Sequence, residues 1–182
     1  MRGEGEPRIA LHNQIQGLVV GSELEAAVNE FANAAMRADA IDPLITEQVR
    51  LRCAGVHDCR VCGSLRLADA LAAGLEDDAA QRVADYRNGD LDPAAVAALR
   101  LTDAIILTPG EVDDDLAEEL HRHFTDAQIA ELCLDVVKWS HQKVLVALRL
   151  EKPPWDERTV LSFDAEGDAV IGGPVREFVA GG

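Results

Sequence analysis

The sequence predicts an all-α fold. Alanine, leucine, valine, aspartate and glutamate dominate its 182 residues, whereas aromatic residues make up only 4%. This composition favours helices over a sandwich or barrel, whose strands are enriched in β-branched and aromatic residues. Apolar residues also recur at helical spacing, and several of these segments begin with a capping pattern. With 48% hydrophobic residues, the chain can bury a core, and one domain is the default expectation.

Four helices are predicted before residue 90, each with a start or stop signal. Ser22-Glu-Leu-Glu25 has the spacing of a capping box, and Asp42-Pro43 places proline at a first helical position. Asp58 is a suitable cap for the third helix, which Gly74 closes. The four predicted ranges are about 22–38, 43–55, 59–73 and 76–88.

Three further helices are predicted up to residue 148, which makes about seven in all. Asp92-Pro93 starts the fifth, and Pro109-Gly110 stops it. Thr125-Asp-Ala-Gln128 is a second capping box and opens the seventh and longest helix. The three predicted ranges are about 93–107, 113–124 and 125–148.

The sequence changes in character after Glu151. Pro153-Pro154 stops the last helix, and 160–163 and 169–171 are candidate short strands. Glycine and proline are frequent from residue 152 onwards. We therefore expect an all-α domain over 1–151 and an irregular C-terminal arm over 152–182, lying on that domain or on a neighbouring subunit.

Charge and hydropathy exclude several classes of function. The formal net charge of −16 disfavours binding to nucleic acids, because an acidic surface repels phosphates. No run of eighteen apolar residues predicts a membrane-spanning helix, and residues 1–8 lack the apolar core of a signal peptide. We therefore expect a cytoplasmic protein with mostly reduced cysteines. A CxxC pair in that compartment indicates catalysis, redox chemistry or metal binding.

The pair Cys59-Arg-Val-Cys62 is the candidate functional site. On the predicted third helix, Cys59, Cys62 and Arg66 share one stripe, and both thiols lie in the first turn. The positive end of the helix stabilises a thiolate there. Four arginines against two acids between residues 47 and 66 add a local positive charge to an acidic chain.

Glu47 is the candidate carboxylate of this site. It lies on the second predicted helix, on the face shared with Leu51 and Ala54. A buried carboxylate has a raised pKa and can pass protons to or from a thiol. The alternative is an ordinary surface pair between Glu47 and Arg50, three residues further on.

Glu47, eleven intervening residues and Cys59-x-x-Cys62 together resemble the core of the AhpD-like family, which belongs with the carboxymuconolactone decarboxylases. Residues 108–110 with the acidic stretch after them, and 124–126 at the start of a long helix, are also similar to that family. The likeness covers about residues 42–150.

This resemblance implies an all-α, homo-oligomeric peroxidase or disulfide reductase that depends on thiols and needs no cofactor or metal. It implies that Cys62 attacks a peroxide or disulfide substrate and that Cys59 resolves the product as a disulfide. A dithiol reductant would restore both thiols. Glu47 would be the distal member of a proton relay.

Two positions depart from the family pattern. The pattern ends CxxCxxxH, and Arg66 stands where that histidine passes protons. Arginine stays charged at any working pH, so Arg66 can hold a thiolate or bind an anionic substrate but cannot relay a proton. Val61 replaces the histidine found between the cysteines of some peroxidases. His57 and His141 are candidate substitutes, but the more ordinary interpretation of His141 is a core or interface histidine with a satisfied hydrogen bond.

Other interpretations remain open at this level. The two thiols could be inert core groups, as we expect for Cys53 and Cys133. Zinc bound by Cys59, Cys62, His57 and Cys53 is disfavoured because no second pair of ligands follows. A non-enzymatic redox sensor or scaffold, and a cysteine-independent decarboxylase or lyase, are rival functions. Phosphate-binding loops, GxSxG elbows and HExxH motifs are not present in the sequence.

Overall fold

The computed structural model describes residues 7–9 and 22–180, and these residues are mainly helical. The α-helices in this part of the chain are α1 (Glu23–Met36), α2 (Pro43–His57), α3 (Arg60–Ser64), α4 (Ala68–Ala72), α5 (Ala79–Ala84), α6 (Pro93–Leu107), α7 (Asp114–His123), α8 (Asp126–Ser140), α9 (Lys143–Leu148) and α10 (Val175–Ala180). The strands are β1 (Leu65–Leu67), β2 (Thr159–Phe163) and β3 (Ala169–Pro174). The prediction of an all-α fold is confirmed, with one small sheet added to it.

Capping residues that the sequence predicts form hydrogen bonds at the starts of α1, α2 and α8. The Ser22 hydroxyl accepts a hydrogen bond from the Glu25 amide at 3.3 Å. The Asp42 carboxylate accepts one from the Leu44 amide at 2.8 Å, in front of a proline at the first position of α2. Thr125 and Gln128 form both halves of a capping box at the start of α8. These bonds satisfy amides that a helix start leaves free.

Three long helices form the centre of the fold. α2 packs against both α6 and α8, and α6 also contacts α7 and α8. Val49 of α2, Ala97 of α6 and Leu132 and Val136 of α8 are all fully buried in the largest apolar cluster. α2 also contacts α3, so this packing places the C-terminal end of α2 beside the segment that contains the CxxC pair.

The predicted third helix over 59–73 is wrong. α3 ends at Ser64, β1 follows, and a separate short helix, α4, begins at Ala68. β1 forms a parallel ladder with β2, in which Leu65 pairs with Thr159 and Leu67 with Leu161. The three leucines share one apolar cluster. Burial against a distant strand therefore overrides the local preference for a helix.

The boundary before the CxxC pair also differs from the prediction. α2 continues past Gly55 to His57, and Asp58 ends it in the left-handed region at φ 54°. Cys59 occupies the N-cap position of α3, and its side chain makes no capping hydrogen bond. Asp58 therefore caps the C-terminus of α2 rather than the start of the next helix.

Two other helices are shorter than predicted. The fourth predicted helix is α5, which covers only Ala79–Ala84. The seventh divides into α8 and α9 at His141 and Gln142. No proline or glycine marks this division, and the apolar spacing continues across it.

The C-terminal segment is more regular than expected. Both candidate strands are present, as β2 and β3, and they pair in antiparallel fashion. α10 was not predicted. The indole of Trp155 donates a hydrogen bond to the Ser64 hydroxyl at 2.8 Å. The division of the chain at residue 151 stays a prediction.

None of the helices in the described ranges is long and apolar enough to cross a bilayer. The expectation that residues 1–8 contain no signal-peptide core concerns a segment that lies mostly outside these ranges.

Candidate functional site

The backbone turn between α2 and α3 sets the position of the two thiols. Asp58 reverses the chain in its left-handed conformation, and the Cys59 amide then donates to the Ala54 carbonyl at 2.9 Å. The Gly63 amide donates to the Cys59 carbonyl at 2.8 Å. Cys59 is 4% exposed and Cys62 is 7% exposed, and both pack against Ala54. The CxxC pair is therefore a nearly buried feature directly over the last turn of α2.

The pKa values of the two thiols are shifted in opposite directions. The S–H of Cys59 donates a hydrogen bond to Cys62, and this bond lowers the pKa of Cys62 to about 7. Burial opposes the effect, while the positive charges of Arg50 and Lys138 add to it. The same hydrogen bond, together with burial and the charge on Cys62, raises the pKa of Cys59. Cys62 is therefore the more acidic of the two thiols.

Arg50 of α2 holds the CxxC segment through hydrogen bonds to its backbone. Its guanidinium donates to the Cys62 carbonyl and to the Leu65 carbonyl, both at 2.6 Å. Its other donors reach the two carboxylate oxygens of Glu47, again at 2.6 Å. Arg50 is 1% exposed, so these are charge-assisted bonds in a dry environment. They join α2 to both ends of the segment 62–65.

Glu47 is buried, as predicted, and is fully inaccessible to solvent. It pairs with Arg50, as the alternative interpretation stated, but the pair lies in the interior instead of on the surface. Within the described residues Glu47 forms no hydrogen bond to either thiol, and both of its oxygens accept from Arg50. The geometry gives Glu47 a part in holding Arg50. A role in proton relay stays a prediction.

Arg66 does not share a helical stripe with the cysteines, because it lies on β1. Its side chain is 4% exposed and donates to the carbonyls of Gly63, at 2.9 Å, and Leu65, at 2.6 Å. Burial and the neighbouring Arg50 lower its pKa to about 10. In the described structure the guanidinium therefore binds backbone oxygens of the loop and makes no hydrogen bond to a thiol.

The two candidate histidines lie on the α8 side of the site. His57 is half-buried, and its Nε2 is 3.2 Å from the Ser140 hydroxyl. Burial, followed by the charge of Lys143, lowers the pKa of His57. His141 is exposed at the C-terminus of α8, and its pKa is lowered by partial burial and by Lys138. Among the described residues, neither imidazole forms a hydrogen bond to Cys59 or Cys62.

Two residues that sequence reasoning missed influence the pKa values of the thiols. Lys138 of α8 is 7% exposed, and its Nζ lies 3.6 Å from the ring centroid of Trp139. Burial lowers its pKa to about 8, partly offset by the negative charge of Cys62. The only sequence signal for Lys138 is weak: it is three residues after Asp135, and these two residues lie on the inward face of the helix.

Glu151 is the second missed residue. It is 4% exposed, and its backbone carbonyl accepts a hydrogen bond from the Val61 amide at 3.2 Å. One carboxylate oxygen accepts from Arg60 at 2.7 Å, whereas the other is buried without a hydrogen-bond partner. Its charge contributes to the raised pKa of Cys59. It follows the last helical residues of the sequence, where no pattern distinguishes it from a loop carboxylate.

The other two cysteines have the positions expected of core residues. Cys53 is fully inaccessible in the main apolar cluster, and burial raises its pKa to about 12. Cys133 is half-buried against the same cluster. In the described part of the chain, no group of three or more His, Cys, Asp or Glu side chains is arranged to hold a metal ion.

Solved structures with this architecture include proteins from three bacteria. One is a protein of unknown function from Agrobacterium tumefaciens, which has been suggested to be the antioxidant defence protein AhpD. It has a TM-score of 0.65 at 19% identity, and the match covers 80% of this chain and all of that chain. An uncharacterised peroxidase-related protein from Ralstonia eutropha, with an alkylhydroperoxidase AhpD core, has a TM-score of 0.61 at 16% identity over 72% of each chain. A peroxidase-related protein from Silicibacter has a TM-score of 0.59 at 17% identity, covering 70% of this chain and 69% of that one.

Similar sequences were also found in Mycobacterium tuberculosis. Uncharacterised proteins of two strains are 40% identical to the chain over 154 residues, which are 83% of its length. The chain spans about half, 54%, of the length of these relatives. No family model matches the sequence. The agreement with solved structures confirms the fold that the Glu47 and CxxC motif implied: the chain has the AhpD-like fold.

Proposed function

We propose that this chain is a thiol-dependent oxidoreductase that reduces a peroxide or a disulfide with Cys62 and Cys59. The observation that carries the proposal is the packing of Cys59 and Cys62 in one nearly buried cluster, where interaction with Cys59 and the charges of Arg50 and Lys138 lower the pKa of Cys62. This arrangement supplies one thiolate for attack and one protonated thiol for resolution. The peroxidase-related structural neighbours support the same class of chemistry.

The proposed reaction has two steps. The Cys62 thiolate attacks the terminal oxygen of a hydroperoxide, a sulfur–oxygen bond forms, and the oxygen–oxygen bond breaks. The alkoxide leaves and takes up a proton, so that an alcohol and a sulfenic acid result. The Cys59 sulfur then attacks the Cys62 sulfur; a disulfide forms, and hydroxide leaves as water with the Cys59 proton. A dithiol reductant restores both thiols by exchange.

The experiment that tests this proposal is a titration of the thiolates by ultraviolet absorbance in single variants. We expect a thiolate that titrates near pH 7 and disappears in Cys62→Ser. In Cys59→Ala the pKa of Cys62 should rise towards the free value of about 8.5, because its hydrogen-bond donor is lost. Cys133→Ser, at a half-buried position elsewhere, is the matched control and should leave the titration unchanged.

The same two variants should also differ in peroxidase activity. Cys62→Ser should abolish reduction of cumene hydroperoxide, and Cys59→Ala should stop the reaction after the first turnover, at the sulfenic acid. If Cys62→Ser leaves both peroxide reduction and disulfide exchange unchanged, the proposal is wrong.

A non-enzymatic redox sensor or scaffold is the second candidate. Two observations favour it: Arg66 binds backbone carbonyls where a relay histidine is expected, and both thiols are nearly buried. Such a protein would oxidise once and turn over slowly. Steady turnover with a dithiol reductant, well above the rate of a free thiol, would exclude this candidate. A cysteine-independent lyase would instead retain activity on a lactone acid after loss of both cysteines.

Assembly into a homo-oligomer in the cytoplasm forms part of the proposal. Leu134 and Val137, three residues apart on the outer face of α8, are each 52% exposed. Adjacent apolar side chains on a helix that also lines the site are suited to contact with a second copy.

A further inference from the structure

The proposed peroxide reduction requires a proton that the residues implied by the family do not supply. The alkoxide that leaves a hydroperoxide is strongly basic and must be protonated as it departs. Cys59 cannot provide this proton early, because it must keep its own for the second step. Arg50 and Arg66 cannot release a proton near neutral pH. Both oxygens of Glu47 accept from Arg50, and within the described residues none of Glu47, His57 and His141 is hydrogen-bonded to either thiol.

Lys138 is a buried ammonium group whose charge interacts with that of Cys62. Both cations lie against the ring of Trp139, with Lys138 Nζ at 3.6 Å and the Arg50 guanidinium carbon at 5.8 Å from its centroid. Arg50 in turn binds the Cys62 carbonyl. The ring of Trp139 therefore holds Lys138 near Arg50, which binds the CxxC segment.

The charged and titratable groups around Lys138 come from three elements. α2 contributes Arg50, the start of α3 contributes Cys59 and Cys62, and α8 itself contributes Asp135 and His141. Within the described residues no carboxylate forms an ion pair with Lys138. The negative group on the neighbouring element is the Cys62 thiolate.

We propose that Lys138 is the general acid that protonates the alkoxide leaving group during attack by Cys62. This inference rests on the function proposed above. It assigns to Lys138 the proton transfer that Arg66 cannot perform.

The proton balance of this step is complete. The thiolate of Cys62 takes the terminal oxygen with its hydrogen, and the oxygen–oxygen bonding pair leaves with the alkoxide. The Lys138 ammonium donates one proton to that alkoxide and becomes a neutral amine. When the reductant later regenerates Cys62, the new thiol gives its proton back to the amine, which restores the starting ion pair.

The environment of Lys138 suits a proton donor. Burial lowers its pKa to about 8, so that the ammonium is present at neutral pH and can still release a proton. Catalytic groups transfer protons most effectively when their pKa lies near the working pH. Glu151 is less suitable, since Arg60 holds one of its oxygens and it approaches Cys59 rather than Cys62.

The test compares two oxidants that differ in their leaving groups. Lys138→Arg keeps the positive charge but removes the transferable proton, while Lys138→His keeps a titratable donor. Each variant is mixed in single turnover with cumene hydroperoxide, whose alkoxide needs a proton, and with dithiobis(nitrobenzoate), whose aromatic thiolate leaves without one. Lys152→Arg, at an exposed position, is the matched control.

We expect Lys138→Arg to slow the peroxide reaction by about 10²-fold, the lower range for loss of a general acid. Its reaction with the aromatic disulfide should stay close to that of the unchanged protein, because the thiolate is intact. Lys138→His should recover part of the peroxide rate. In the unchanged protein the rate should fall as pH rises past the pKa of Lys138, and this alkaline decline should be missing in Lys138→Arg.

Three outcomes contradict the inference. An unchanged peroxide rate in Lys138→Arg would show that the proton comes from elsewhere. An equal loss with both oxidants would indicate that Lys138 only supports the fold or the thiolate. If the unchanged protein reacts with the aromatic disulfide but not with peroxide, the peroxidase part of the proposed function fails first, and this inference fails with it.

Discussion

At the scale of single residues, the pair of Glu47 and Arg50 connects α2 to the CxxC segment. Both side chains are almost completely buried, and Arg50 uses its donors on Glu47 and on two carbonyls of the CxxC segment. A guanidinium in the interior is stable only when its donors are satisfied. Glu47 therefore supports the position of Arg50, which in turn holds the backbone of the CxxC segment.

Loss of the Glu47 carboxylate should strongly destabilise the protein. Glu47→Gln leaves Arg50 buried without its counter-ion, and breaking such a pair typically costs about 3–5 kcal/mol of the free energy of unfolding. Urea unfolding measures the change. Glu76→Gln removes one partner of an exposed pair with Arg82 and should change the free energy of unfolding far less, because solvent screens exposed pairs. Similar values for the two variants would contradict the structural role of Glu47.

The sequence reveals some of these residues and conceals others for a physical reason. Glu47, Cys59 and Cys62 form a motif because their spacing is local and fixed by two adjoining helices. Lys138 and Glu151 reach the same site from far along the chain, and nothing in a single sequence encodes that approach. Their chemical types are also those that normally face solvent.

At the scale of elements, β1 shows how a distant segment decides local structure. Residues 59–73 read as one helix, yet three of them form a strand because β2 is available as a partner. Leu161 of β2 is 5% exposed and completes the cluster around Leu65 and Leu67. Helix starts with local caps were predictable, whereas this parallel pairing, separated by more than ninety residues, was not.

The pairing predicts that the C-terminal segment contributes to stability. Leu161→Ala should reduce the free energy of unfolding by about 2–5 kcal/mol, as for other buried leucines. Val170→Ala, at a position of β3 that is 42% exposed, should change it by no more than about 0.5 kcal/mol. Urea unfolding again provides the measurement. Equal and negligible effects would support the expectation of a separate arm over 152–182.

At the scale of the whole molecule, surface charge and exposed apolar side chains have opposite effects on association between copies of the protein. A net charge of −16 keeps molecules apart in solution. The exposed side chains of Leu134 and Val137 favour association through α8 instead. The all-α class followed from composition and capping, but the face that meets a partner depends on which side of α8 the core leaves uncovered.

A homo-oligomer is therefore expected by light scattering. Val137→Glu should shift the mass towards the monomer, because it places a charge in the apolar contact. Leu24→Glu changes an apolar side chain of α1 that is 72% exposed and should leave the mass unchanged. A monomer in the unchanged protein would contradict the prediction.

Both tryptophans of the chain lie close to residues that contact the CxxC segment. Trp139 stacks against Lys138 and near Arg50, and Trp155 donates its indole hydrogen to Ser64 at the end of α3. Because the sequence contains no other tryptophan, the indole fluorescence of the intact protein originates entirely beside this segment. A change in charge at Cys62 alters the electric field at Trp139. The protein thus carries its own optical probe, with which the proposed oxidation of its thiols is testable in solution without a label.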